Sequence, residues 1–103
     1  MTVVLVSFQY GDDYDRDRIV RVATDAAPMF RGMAGVTFKY FTVDESSRRA
    51  TNVYLWESRD AAEQFFNAET RALVVTLYGV EPEISYLEVL EAVDNSPAAA
   101  AAG

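Results

Sequence analysis

Asn52, Tyr54 and Trp56 alternate along a run of β-branched, aromatic and aliphatic residues. On a pleated strand they place an amide, a phenol and an indole on one face and leave Val53 and Leu55 on the other. The mixed face is where a ligand is expected. Lys39 lies on the preceding β-prone segment, Val36 to Val43, and the polar stretch Asp44 to Arg49 reads as the hairpin joining the two. An even number of loop residues puts Thr37, Lys39 and Phe41 on the face of Asn52, Tyr54 and Trp56, and an odd number puts Phe38 and Tyr40 there. The even case is expected, because it keeps the lysine off the face that helices bury, where an unpaired charge is costly.

The residues that are absent narrow the chemistry. The 103 residues include no histidine, which removes the commonest general base, the usual transition-metal and haem ligand, and any Ser-His-Asp arrangement. They include no cysteine, hence no thiolate nucleophile, disulfide or zinc-thiolate site, as suits a cytoplasmic protein. A net charge of -7 disfavours a nucleic acid or an anionic membrane as partner. The stretch Met1 to Phe8 has no basic residues ahead of its apolar run and is not expected to be a signal peptide. No apolar run is long enough to span a bilayer.

The elements that must hold these residues follow from the pattern. Thr2 to Tyr10 is a β-prone run, apolar on both faces until Ser7 and Gln9, as in a central strand covered on each side. Acidic residues at Asp12, Asp13 and Asp15 precede a helix whose stripe is Ile19, Val22, Ala23 and Ala26, with a kink or fresh turn expected at Pro28. Gly32 to Gly35 returns the chain to the sheet. After the hairpin, Ser58 is a natural N-cap for a helix beginning near Arg59 and running at least to Asn67. The segment Glu69 to Tyr78 either continues that helix or starts another, and Gly79 stops it. Glu83 to Val93 alternates as a last strand, with Ile84, Tyr86, Glu88 and Leu90 on one face.

The order is β-α-β-β-α-β, a ferredoxin-like α+β fold with an antiparallel sheet and helices on one face. It forms one domain over residues 1–94, followed by a low-complexity alanine-rich tail over 95–103. Two helices cover one face of four strands. A hydrophobic content of 50% leaves apolar groups on the other face, so a homodimer packed sheet to sheet is expected, with a ligand cavity where the facing side chains fail to interdigitate.

The pattern Gly35-Val-Thr-Phe-Lys39-Tyr-Phe-Thr, the acidic hairpin, Asn52-Val-Tyr-Leu-Trp-Glu-Ser-Arg-Asp-Ala-Ala-Glu and the late Gly79-Val80-Glu81 resemble the small YdhR-type monooxygenases. These belong to the dimeric α+β barrel superfamily of the antibiotic-biosynthesis monooxygenases. The resemblance covers Thr2 to Val93 in element order and implies an oxygenase of small aromatic or polyketide-like substrates that uses oxygen without a metal or other cofactor. Trp56 resembles the barrel-facing tryptophan at the end of the third strand, Asn52 the asparagine four residues before it, and Lys39 the lysine usual in the second strand. The histidine that some relatives carry in the second helix is missing, which argues against haem degradation.

That resemblance implies catalytic roles for Asn52, Trp56 and Lys39, and substrate contacts for Tyr54, Tyr86, Phe41 and Arg31. Lys39 would hold the substrate anion or act as base. Asn52 would bond a carbonyl or peroxide, Tyr54 and Tyr86 would orient hydroxyls, Trp56 would stack on the ring, and Arg31 would reach the cavity mouth. A structural alternative stands beside each: Trp56 as packing, Lys39 as an exposed head on a sheet edge, Asn52 satisfying backbone groups, Arg31 as a solvated loop residue. A cyclase or isomerase on the same fold and a non-catalytic binding module are the alternative functions.

Overall fold

A computed structural model describes residues 1–97. Seven elements follow one another: β1 (Thr2–Gln9), α1 (Arg16–Phe30), β2 (Val36–Asp44), β3 (Arg49–Trp56), α2 (Arg59–Phe65), α3 (Ala68–Tyr78) and β4 (Glu83–Glu88). The four strands form one sheet in the order β2-β3-β1-β4, with every neighbouring pair antiparallel. This is the ferredoxin-like α+β fold. Each helix starts on a side-chain cap: Asp15 accepts from Arg18 N, Ser58 from Ala61 N, and Asn67 from Thr70 N.

Local structure meets some of the expectations and departs from others. α1 runs on through Pro28 to Phe30 without a fresh turn, and Thr24, whose carbonyl loses its partner, is exposed so that water can replace the bond. The second helical region is two helices, because Asn67 caps a new one. Gly79 closes α3 in the left-handed conformation, at φ 82°. The last strand stops at Glu88, short of Val93. Beyond it the alternation meets nothing, and Leu90 and Val93 are 84% and 83% exposed. Of the alanine-rich tail, residues 98–103 lie outside the described residues.

The sheet register decides which residues meet the helices. Trp56, Tyr54, Asn52 and Ala50 lie opposite Thr2, Val4, Val6 and Phe8 of β1, and all eight are buried. This is the face that the helices cover. The sequence reading placed the helices against Val53 and Leu55 instead, and that is overturned. Phe30, Phe65 and Phe66 require ring partners with edges and faces on offer, and Tyr54 and Trp56 supply them at centroid distances of 5.2–6.3 Å. The aliphatic face of Val3, Leu5, Val53 and Leu55 is only half-buried, and Phe38, Tyr40 and Leu87 extend it outward.

The hairpin loop, Glu45 to Arg48, has the expected even length, pairing Lys39 with Tyr54 and Phe41 with Asn52. Lys39 therefore lies on the helix-covered face, the reverse of the reason given for preferring that parity. A bulge between Val36 and Phe38 puts Val36, not Thr37, opposite Trp56.

Candidate functional site

Between the sheet and the helices lies a cavity of about 170 Å³. Its floor is Lys39 and Phe41 of β2 with Asn52 and Tyr54 of β3. Phe30, Ala26 and Val22 of α1, Phe65 of α2, and Leu73, Val74, Leu77 and Tyr78 of α3 wall it. It is an intramolecular cavity, so the expectation that dimer packing would form it is corrected. The physical reason is that the small Ala26 of α1 faces the cavity and no side chain of α1, α3 or the edge strand β2 fills the gap. The volume suits a one-ring ligand. An adjoining hollow of about 330 Å³ shares Phe30, Lys39 and Phe41 and adds Arg31, Gly32 and Thr37. On the outside, a groove between α1 and α3 shares Val22, Ala26, Met29, Leu73 and Leu77 with the cavity and is rimmed by Arg18, Arg21 and Asp25.

Lys39 is the only lysine in the chain. Its Nζ lies 3.5 Å from the ring centroid of Phe30, 4.1 Å from that of Phe41 and 4.3 Å from that of Tyr54. Among the described residues no carboxylate pairs with it, since the three ion pairs all use arginine. Burial removes water from the ammonium and lowers its pKa to about 7, while the three ring faces favour the charged form. Lysine is the one strongly basic side chain that can lose its proton under these conditions, which arginine cannot.

Asn52 reaches across the cavity floor. Its Nδ2 donates to the Tyr78 hydroxyl at 2.9 Å, so it satisfies a side chain of α3 and not the hairpin backbone. The Tyr78 hydroxyl keeps its own proton available for a further acceptor. Tyr78 is fixed from both sides: its ring stacks on Phe8 at 3.8 Å, and its carbonyl accepts from the Tyr10 hydroxyl at 2.8 Å. Burial raises the Tyr78 pKa, against a smaller lowering by the Asn52 bond. Burial, and then the neighbouring Tyr78, raise that of Tyr54. Both phenols therefore remain proton donors at neutral pH, and Lys39 alone of the lining groups has a pKa near neutrality.

The structure thus gathers Lys39, Asn52, Tyr54 and Phe41 at one cavity. Arg31 lines the adjoining hollow on the far side of Lys39. Two expected members lie elsewhere. Trp56 is packed beneath the cavity among Tyr54, Phe65 and Phe66, 3% exposed, because Gly35 and Ala61 leave its indole a slot in the core. Its Nε1 is buried without a hydrogen-bond partner among the described residues. Tyr86 is on the same sheet face, but Val4 separates it from Tyr54, and it lines a surface hollow beneath Arg59. Tyr78 and Phe30 are the members missed from sequence. The signal for Tyr78 was present: Asn67 as a cap, then Thr70, Leu73, Val74, Leu77 and Tyr78 at the spacing of one helical stripe.

The described residues hold no cluster of acidic side chains able to take a metal ion, and none of their helices is long and apolar enough to cross a membrane.

No protein-family model matches the chain, and no curated protein sequence does. Its fold matches solved structures. The monooxygenase ActVA-Orf6 of Streptomyces coelicolor, in complex with the ligand nanaomycin D, is 19% identical with a TM-score of 0.68 over 92% of each chain. Rv0793 of Mycobacterium tuberculosis is 15% identical with a TM-score of 0.68, over 90% of this chain and 98% of that one. An antibiotic biosynthesis monooxygenase is 12% identical with a TM-score of 0.65, over 88% of this chain and all of the other. The chain shares the fold of these three structures.

Proposed function

We propose that the protein is a cytoplasmic, homodimeric monooxygenase of the YdhR type, using oxygen without a cofactor to oxidise a small aromatic or polyketide-like molecule. The observation that carries this reading is the single lysine, held among three rings in an apolar cavity with a pKa of about 7. A base with that pKa is half unprotonated at neutral pH and suits removal of a proton from a phenol or enol. The resulting anion passes an electron to oxygen, the two radicals combine to a peroxide, and loss of water leaves a new carbonyl. The Lys39 ammonium then stabilises the anion, and the Tyr78 hydroxyl, aligned by Asn52, donates to the peroxide oxygen. Tyr54 and Phe41 hold the ring, and Trp56 acts by packing behind Tyr54. Arg31 offers positive charge at the adjoining hollow to a second anionic group of the substrate.

The homodimer would bury the open face built on Val3, Leu5, Val53 and Leu55, since Tyr40 and Leu87 on that face are 61% and 48% exposed as it stands. A cavity lined by Lys39, Asn52 and Tyr54 counts against a purely structural module. A cyclase or isomerase would employ the same base on an enolisable substrate and would turn over under argon.

Oxygen uptake with a panel of one-ring hydroquinones, and of anthrones whose further rings would extend into the adjoining hollow, tests the reading. Lys39→Met is expected to lower kcat/KM by about a hundredfold or more, the usual share of a general base, and in the wild type kcat/KM should rise with pH through about 7. Absence of uptake by the wild type across the panel would reject the oxygenase.

A further inference from the structure

We propose that Lys39 is also a carbonyl-capturing amine, condensing with a small apolar aldehyde or ketone in the cavity to form an imine. Three observations on the page meet at this side chain. It is the sole lysine among nine basic residues, the other eight being exposed arginines, so the one half-buried cation position is held by the one side chain that can become a nucleophile. No described carboxylate or hydroxyl bonds to Nζ, so its lone pair, once the proton is lost, is not engaged. The space beside it is apolar, lined by Phe30, Phe41 and Leu73, and shares its walls with the outer α1–α3 groove and the Arg31 hollow. Burial, which lowers the pKa to about 7, supplies the neutral amine.

The chemistry closes on groups already present. The Nζ lone pair attacks the carbonyl carbon, a carbon–nitrogen bond forms as the carbon–oxygen π bond breaks, and a proton moves from nitrogen to oxygen to give a carbinolamine. The Tyr78 hydroxyl, which accepts from Asn52 and keeps its own hydrogen, protonates the departing oxygen. Water leaves, the carbon–nitrogen double bond forms, and the remaining N–H proton returns to Tyr78. The rings of Phe30, Phe41 and Tyr54 face the protonated imine that forms as water leaves, as they face the ammonium, before its proton passes to Tyr78. This step needs no oxygen and does not depend on the oxygenase reading.

Reductive trapping tests it. The wild-type protein is treated under argon at pH 7 with benzaldehyde and sodium cyanoborohydride, once native and once in concentrated urea, and the benzyl adducts are located by peptide mapping. The chain has only two amines, Lys39 and the α-amino group of Met1, so the latter serves as an internal reference. Native Lys39 is expected to be benzylated about tenfold or more faster than the same lysine in urea, the factor that a single unit of pKa difference gives. A native rate equal to or below the unfolded rate would overturn the inference, because burial alone slows access. Lys39→Arg should abolish the cavity adduct, and if that variant does not fold, the comparison of native and unfolded wild type decides. Labelling without oxygen uptake would remove only the oxygenase, and oxygen uptake without labelling would remove only the imine.

Discussion

Asn52 on β3 and Tyr78 at the end of α3 are joined by one buried hydrogen bond of 2.9 Å that spans the cavity floor and ties the sheet to the helix layer. Removing either partner strands the other in a site with little water. Asn52→Leu and Tyr78→Phe are each expected to lower stability by about 1–3 kcal/mol. The double variant should lose less than the sum, with a coupling of about 1 kcal/mol. Urea denaturation of the four proteins measures this, and strict additivity would mean that the bond contributes nothing.

Gly35 is required by both backbone and packing. Its φ is +88°, and a Cβ there would lie 3.2 Å from Trp56 Cζ3, an atom that the surrounding rings hold in place. Gly35→Ala is expected to destabilise the fold by about 1–3 kcal/mol. The single tryptophan reports the displacement directly through its fluorescence, and an unchanged spectrum with unchanged stability would contradict the packing described.

How much of this was legible in the sequence depends on what each segment had to match. Strand order, the cap at Ser58 and the acidic start of the first helix followed from local patterns that tertiary packing did not oppose, whereas the even hairpin parity was met for the opposite reason to the one expected. Which sheet face meets the helices did not follow, because β1 is apolar on both sides and offers no contrast to orient it. The choice was made by ring–ring packing between distant segments, Phe30 and Phe66 on Tyr54. The same long-range cause moved the cavity inside the protomer. A charge placed on the covered face looked costly by local rules, and only the cage of three rings makes Lys39 tolerable there. Tyr78, 26 residues from Asn52, was hidden because the β-branched Thr70, Val74, Val75 and Thr76 weakened the helical reading of α3.

The open face makes its own prediction. Val53 lies between Leu5 and Tyr40 at the middle of the uncovered side of the sheet, away from the helix-covered core. In sedimentation experiments the wild type is expected to behave as a dimer. Val53→Lys, which places a charge in the face without touching the Lys39 cavity, should dissociate it while leaving the far-ultraviolet circular dichroism intact. A monomeric wild type would reject sheet-to-sheet pairing.

The titration of Lys39 fixes the sign of a pH effect on stability. Its pKa is about 7 in the folded protein, against about 10.4 in an unfolded chain. Between these values the unfolded state holds the extra proton, so raising the pH favours folding, by up to about 1.4 kcal/mol per pH unit from this one group before the rings' preference for the cation reduces it. Below pH 7 both states are protonated and the slope vanishes. Tyr10, raised to about 12 by burial, and the buried Tyr54 and Tyr78 act in the opposite sense above about pH 10, where an unfolded phenol ionises first. Thermal unfolding followed from pH 6 to 11 should therefore show a Tm that climbs from about pH 7 and turns over near pH 10. Lys39→Met should remove the climb and keep the alkaline fall. A Tm profile with the same rising limb in both proteins would show that Lys39 keeps an ordinary pKa, and would remove the base on which the proposed chemistry rests.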